Sequence, residues 1–220
     1  RPFTVKEEKI LMIASESEDE KEMIRAVTRI ISACTFEKLN VNKLPLFDIE
    51  YVFLQIRSKS VGEVASFKVL CPDDNKTYTD VEVDISKVEV HVDDDHTNKI
   101  IVDEKRNLGV VFAYPTLDIS QVGVNLNSVK TEDVFEILIN CVDHIFEGEK
   151  IYPAKDSSKE ELTDFFESLN QTAFTEIRKF FDSMPQLKHV EVENPKTKVK
   201  STVTFKGLSD FFQYASPTTT

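Results

Sequence analysis

The sequence predicts an α+β fold in which helices from both ends of the chain pack together, with an antiparallel β-sheet inserted between them. Two observations support this class. Apolar residues recur every three or four positions before Gly62 and again from Thr131, which is the period of an amphipathic helix. Between residues 63 and 115 they alternate with polar residues, as in half-buried strands. We therefore expect a helical core with a small C-terminal hairpin, residues 1–62 and 116–220, and an inserted antiparallel β-region, residues 63–115.

Two start signals predict the first two helices. Thr4 and Glu7 have the spacing of a capping box, in which a hydroxyl residue and a carboxylate satisfy each other's backbone N–H groups. Residues 17–20 repeat this signal. The apolar residues that follow, up to Cys34, recur at three- and four-residue spacing, so the second helix is expected to be clearly amphipathic.

The third helix is expected from Pro45, a residue favoured in the first turn, to about Lys59. Its apolar residues surround most of the helix: Leu46, Phe47, Ile49, Val52, Phe53, Leu54 and Ile56. A helix that is apolar around most of its circumference is buried on more than one side, either in a core or beneath a partner.

Runs of alternating apolar residues then predict four or five antiparallel strands with one buried and one wet face. The runs begin at Phe67, Tyr78, Val88, Ile100 and Val110, and turn-forming residues separate them.

Helical spacing returns after the strands. We expect one helix over residues 131–146, a second that opens at the capping box of Ser158 and Glu161, and a third over residues 173–184. Two short strands, near residues 188–193 and 198–205, flank the turn Asn194-Pro195-Lys196.

The aromatic residues are unusually dominated by phenylalanine, with 16 Phe, 5 Tyr and no Trp. Three adjacent pairs lie in predicted helical segments: Phe165–Phe166, Phe180–Phe181 and Phe211–Phe212. Neighbouring residues point about 100° apart on a helix, so both rings are buried only on a wide apolar face. We expect core positions for the first two pairs.

The amphipathic segment Leu208–Tyr214 precedes a polar, Thr-rich tail and is too short to be a stable helix by itself. Its apolar residues must therefore pack against something, either this protein's own core or a partner. The alternatives are nearly balanced, and we favour a partner slightly. The candidate partner-binding residues are Leu208, Phe211, Phe212 and Tyr214.

Two patterns loosely resemble metal sites. His144 follows Cys141 by three positions, but a metal site needs three or four ligands and only two are visible. The segment from Asp93 to Glu104 imitates a calcium loop, but Asn98 stands where the sharp turn requires Gly. A packed cysteine, a surface histidine and a solvated hairpin tip explain these residues better. We expect no metal, no cofactor and no catalytic residue, since no catalytic motif occurs.

The chain is acidic, with 39 Asp and Glu against 27 Lys and Arg and a formal net charge of −12. This charge argues against binding to nucleic acid or anionic lipid and favours partners with basic patches. No apolar run approaches the ~18 residues of a membrane-spanning helix, so we expect no membrane insertion. Three cysteines without a CxxC motif favour a reducing compartment over a disulfide framework.

Four segments of the sequence resemble a known family. They are residues 1–11 (RPFTVKEEKIL), 44–51 (LPLFDIEY), 55–63 (QIRSKSVGE) and 207–212 (GLSDFF). The chain resembles the baseplate proteins of T4-type contractile-tailed bacteriophages. This resemblance implies a structural or assembly component of the central hub, with other baseplate or hub proteins as partners and no catalytic residues.

The resemblance also implies a location in the tail baseplate of the virion after assembly in the host cytoplasm. It leaves open whether the protein forms an oligomer and whether it stays in the finished virion. Two alternatives from other classes remain: a tail-associated hydrolase of cell-wall glycan, which would need a carboxylate pair in a deep cleft, and an acidic cytoplasmic scaffold unrelated to phage.

Overall fold

The computed structural model describes residues 1–17, 19–117, 131–187 and 190–203. These ranges contain six α-helices and ten β-strands, and every strand pairing is antiparallel. The predicted α+β class is therefore confirmed. Contacts divide the chain into two compact units, one of Arg1–His91 and Gln186–Thr220 and one of Val92–Pro185. The division predicted from the sequence, at residues 62/63 and 115/116, stays a prediction.

Three helices begin the first unit: α1 (Val5–Glu16), α2 (Glu20–Cys34) and α3 (Leu46–Ser60). The capping box predicted at Thr4 and Glu7 forms at the start of α1, whereas α2 is capped by Asp19, whose Oδ1 accepts the Lys21 N–H at 2.8 Å, in place of the signal predicted from Ser17. The Thr4 N–H donates to Glu7 at 2.7 Å, and the Thr4 hydroxyl donates to the same carboxylate oxygen. The Arg1 guanidinium, whose Nη2 lies 2.8 Å from Glu7 Oε1, together with these bonds lowers the pKa of Glu7 to about 2.

Helix α3 is enclosed, as its apolar circumference predicts. Ile49, Phe53 and Leu54 are buried, and the other apolar residues of the helix are half-buried. Helix α2 supplies the facing core residues Val27, Ile30, Ile31 and Cys34. The two helices contact each other, so both lie in the core of this unit.

Three two-stranded pairings complete the first unit. Strand β1 (Val64–Leu70) pairs with β2 (Tyr78–Asp84), and the two-residue strands β3 (Val90–His91) and β8 (Gln186–Leu187) pair with each other. Near the end of the described chain, β9 (Val190–Glu193) pairs with β10 (Lys200–Val203). The hairpin predicted around Asn194 is therefore present.

A polar clasp joins the β1–β2 turn to the β9–β10 turn across 121 sequence positions. The Asn194 side chain donates to Asp73 at 2.9 and 3.1 Å, and the Thr197 hydroxyl donates to Asp73 at 2.5 Å. Asn194 is almost completely buried, so its amide needs these bonds. The hydrogen bonds hold the pKa of Asp73 below its usual range.

The second unit is built on a four-stranded antiparallel sheet in the order β4-β5-β6-β7. Its strands are β4 (Lys99–Asp103), β5 (Leu108–Phe112), β6 (Val142–Glu147) and β7 (Lys150–Pro153). Three helices accompany the sheet: α4 (Thr131–Asn140), α5 (Lys159–Glu167) and α6 (Gln171–Asp182). The five strands expected between residues 63 and 115 are thus present, but they belong to three different sheets.

The prediction of one helix over residues 131–146 is wrong in its second half. The helix ends at Asn140, and residues 142–147 form β6, which pairs with β5 on one side and β7 on the other. The spacing of Leu138, Val142 and Ile145 fits a helix, but only Leu138 lies in one. In β6 an irregularity in the pairing with β5 places Val142 opposite Phe112 and Ile145 opposite Val110, so two residues three apart face the same side of the sheet. Gly148, with φ +61°, allows the tight turn into β7.

One face of the sheet packs against α5 and α6 through aromatic rings. Phe180 is stacked on Phe112 with ring centroids 5.1 Å apart. Phe166 is also stacked on Phe112, with ring centroids 6.3 Å apart. Phe165 and Phe181 are half-buried against the same cluster. The two phenylalanine pairs therefore lie in the core, as predicted.

On the opposite face of the sheet, the Phe146 ring lies over Gly109. A Cβ at position 109 would overlap the ring and would lie 2.6 Å from the Ile100 carbonyl oxygen. Lys99 Nζ lies 4.7 Å from the ring centroid, which is a cation–π geometry. The ring thus fills the space that any other residue at position 109 would need.

Replacement of Gly109 by Ala should lower the free energy of unfolding by ~1–3 kcal/mol, because the methyl group overlaps a ring and a strand carbonyl. Urea denaturation measures this loss. The variant Gly109→Ala/Phe146→Leu should lose less than the sum of its two single variants, because the smaller side chain makes room. Additive losses would show that the ring contact is not the cause.

Candidate protein-binding cleft

The partner-binding residues predicted from the sequence, Leu208, Phe211, Phe212 and Tyr214, lie outside the described residues. Their role stays a prediction. The described part of the chain contributes a different candidate, which is a concave site within the second unit.

This site is a cleft of about 450 Å³ between α5 and one end of the four-stranded sheet. Ligand sites commonly have ~300–1,000 Å³, so its volume suits a short peptide segment or a small molecule. Its apolar lining comprises Val102, Leu108, Ile145, Tyr152, Leu162, Phe165 and Leu169. Its polar lining comprises Asp103, Arg106, Glu147, Ser157, Glu161, Ser168 and Asn170.

The sheet wall of the cleft follows from strand register. Ile145 of β6 pairs with Tyr152 of β7, and Leu108 of β5 pairs with Glu147 of β6. Opposed residues point to the same face, so Ile145 and Tyr152 line the cleft side by side. Tyr152 is 45% exposed and offers an accessible aromatic surface at the edge of the sheet.

The helical wall follows from the period of α5. Glu161, Phe165 and Leu169 are spaced four residues apart, so they lie on one face of the helix and its C-terminal turn. The helix begins with the capping box predicted from the sequence. The Glu161 N–H donates to the Ser158 hydroxyl at 3.1 Å, and the Ser158 N–H donates to Glu161 Oε2 at 2.8 Å.

Charged side chains surround the apolar lining. Arg106 donates to Glu147 Oε1 from Nε at 3.0 Å and from Nη2 at 2.7 Å, and this carboxylate raises the pKa of the guanidinium. Asp103 Oδ1 accepts the backbone N–H groups of Lys105 and Arg106 at 2.9 and 3.3 Å. Each carboxylate of the cleft therefore has a local structural partner.

Other chemistry-bearing side chains of the described chain also have structural roles. The thiols of Cys34, Cys71 and Cys141 are buried and free, and burial raises the pKa of Cys141 to about 12. A thiol with so high a pKa is a poor nucleophile. His96 forms hydrogen bonds of 2.9 Å with Ser183 and Tyr114, so both ring nitrogens are engaged.

The two metal-like patterns are not assembled into sites. His144 lies in β6 and contacts Asp143 at 2.6 Å, whereas Cys141 is buried at the end of α4. The calcium-like segment is divided between a loop and strand β4. Among the residues that the structure describes, no group of three or more His, Cys, Asp or Glu side chains is placed to hold a metal ion.

None of the helices in the described ranges has both the length and the apolar character that crossing a bilayer requires.

The cleft cannot be predicted from the sequence, because its lining comes from four strands, from α5 and from the N-cap of α6. The local signals were visible: the Ser158–Glu161 capping box places α5, and Gly148 marks the turn before Tyr152. No signal within a short window indicates that these segments meet.

Comparison with known proteins adds one match. The chain is similar to a family described as T4 bacteriophage base plate protein, and the family model matches residues 1–213. No curated protein and no solved structure matches the chain.

Replacement of Tyr152 by Ala should change the free energy of unfolding by less than ~1 kcal/mol, because the ring is partly exposed at a sheet edge. Replacement of Phe180 by Ala should cost ~3–5 kcal/mol, because that ring is 1% exposed in the aromatic core. Thermal or urea denaturation of both variants measures the difference. Similar losses would mean that the cleft lining is part of the stabilising core.

Proposed function

Because the chain belongs to the T4 bacteriophage base plate protein family, we propose that it is a component of the central hub of the baseplate, as a subunit or an assembly factor. The family itself indicates a structural protein of the phage tail with other baseplate components as partners. The hub position, assembly in the host cytoplasm and the mode of contact are parts of the proposal.

The observation that carries the proposal is the extent of the family match. Residues 1–213 of a 220-residue chain are matched, so both compact units belong to the family. A match of this extent supports one role for the whole chain, in contrast to a short module within an unrelated protein.

The geometry of the second unit favours protein–protein contact as the mode of action. Its cleft combines an apolar lining, an accessible tyrosine and a charged rim, and these features are typical of protein-binding surfaces.

A hydrolase of cell-wall glycan is less well supported. Three carboxylates line the cleft, but Asp103 caps a turn, Glu147 pairs with Arg106 and Glu161 caps helix α5. Glycoside hydrolysis needs one carboxyl group that donates a proton and a second that activates water or attacks the sugar. The structural contacts of all three carboxylates weigh against such a pair.

We also retain the C-terminal segment as a docking element. Leu208, Phe211, Phe212 and Tyr214 would supply aromatic anchors, and a free hub component would use them to attach to a larger partner. This assignment comes from the sequence alone.

Mass spectrometry of purified virions tests the function. A hub subunit should be present in finished particles, whereas an assembly factor should copurify with hub intermediates and be absent from virions. The purified protein should not clear a peptidoglycan suspension. Absence from both virions and baseplate intermediates, or clearance of peptidoglycan, would contradict the proposal.

Replacement of both Phe211 and Phe212 by Ala tests the docking segment. If the segment binds a partner, the double variant should melt like the parent protein and lose ~2 kcal/mol or more of binding free energy in a pull-down titration with baseplate intermediates. If the rings close the protein's own core, each replacement should cost ~3–5 kcal/mol of stability. A double variant that is unfolded when purified alone would exclude the docking role.

A further inference from the structure

We propose that the cleft beside α5 binds a short segment of another baseplate protein that carries an apolar side chain flanked by lysine or arginine. The proposal rests on the proposed function, because it takes the partner to be a baseplate component. It adds the location of one contact and the chemistry of its ligand.

The apolar requirement comes from the lining. Ile145 and Tyr152 from the sheet and Phe165 from α5 border the same space, and Tyr152 and Phe165 present aromatic surface. An aliphatic or aromatic side chain that displaces water from such a lining gains binding free energy. A volume of about 450 Å³ accommodates one such side chain with a few neighbouring residues.

The basic requirement comes from the rim. Asp103, Glu147 and Glu161 supply three negative charges and Arg106 one positive charge, so the rim has a net charge of −2. Because Arg106 pairs with Glu147, the excess lies on Asp103 and Glu161. Each of these two accepts its backbone hydrogen bonds through a single oxygen, Oδ1 and Oε2 respectively. A carboxylate has about four lone-pair sites, so both retain the capacity to bind a cation.

Helix ends do not add to this preference, because ends of opposite polarity border the cleft. Glu161 stands in the first turn of α5 and Asn170 caps the start of α6, where N–H groups favour anions, whereas Ser168 follows the last turn of α5, where carbonyl groups favour cations. The preference for a basic, apolar-anchored segment therefore rests on the apolar lining and the two rim carboxylates.

The same charges disfavour two other ligands, a phosphate-bearing molecule and a second copy of this chain. A phosphate-bearing ligand would be repelled by the rim. A second copy of this chain would bring a net charge of −12 towards an acidic site, which opposes association. A basic segment of a different protein is the occupant with complementary charge.

Photo-crosslinking in infected cells tests the proposal with the full chain. Tyr152 is replaced by p-benzoylphenylalanine, and the matched control carries the same replacement at Tyr78, a tyrosine of the other unit that is 54% exposed. We expect the position-152 probe to crosslink to a peptide of another baseplate protein with Lys or Arg within a few residues of the crosslink. The position-78 probe should not yield that peptide.

Two rim variants with opposite expected effects test the charge argument in the same crosslinking background. Glu161→Gln keeps the capping-box geometry and removes one negative charge, so the crosslink yield should fall about two- to five-fold. Arg106→Gln removes the positive charge, so the yield should rise by a similar factor. Melting curves of both variants should stay close to that of the parent.

Several outcomes would overturn the proposal: a crosslink from position 152 to the same chain, to a second copy or to an acidic segment, or no crosslink at all. A fall in yield with both rim variants would also exclude a basic ligand. These results are separable from failure of the proposed function. If virions or hub intermediates contain the protein but position 152 finds no partner, only the cleft assignment fails.

Discussion

Stacking of the Phe180 ring on Phe112 packs helix α6 against the sheet of the second unit, and the aromatic core of that unit is arranged around this contact. Phe112 lies at the end of β5 and Phe180 near the end of α6, so this ring pair joins the two layers. Phe166 brings α5 to the same cluster. Aromatic pairs of this kind contribute beyond the area they bury, because the rings prefer a defined offset.

This aromatic core occupies one end of the sheet, and the cleft lies at the other. Phe112 and Val110 are fully buried, whereas Leu108, two residues further along the same strand, is half-buried and lines the cleft. The apolar face of the sheet therefore continues past the residues that the helices cover. Exposed apolar surface at the edge of a core is typical of protein-binding sites, and charged side chains at its border favour solubility.

Several polar groups of the described chain have structural roles. Asp73 joins two distant turns, Glu7 and Glu161 cap helices, and His96 connects Ser183 with Tyr114. The acidic surface and the accessible apolar lining of the cleft accord with a baseplate family whose members act as structural parts.

The sequence by itself determined the elements that local chemistry specifies. The capping boxes at Thr4 and Ser158 place helix starts because their hydrogen bonds span three residues. The alternation in β1 and β2, the buried Phe166 and Phe180, and the four segments that resemble the baseplate family were also visible without the structure. Only the tertiary structure decided that residues 142–147 form a strand. Val142 and Ile145 are three residues apart, as on a helix face, and an irregularity in the pairing with β5 lets both face the same side of the sheet, opposite Phe112 and Val110. The tertiary structure also decided that the predicted strands belong to three sheets and that Tyr152 and α5 line the same cleft. The residues involved are far apart in the sequence, so no local pattern predicts that they lie together.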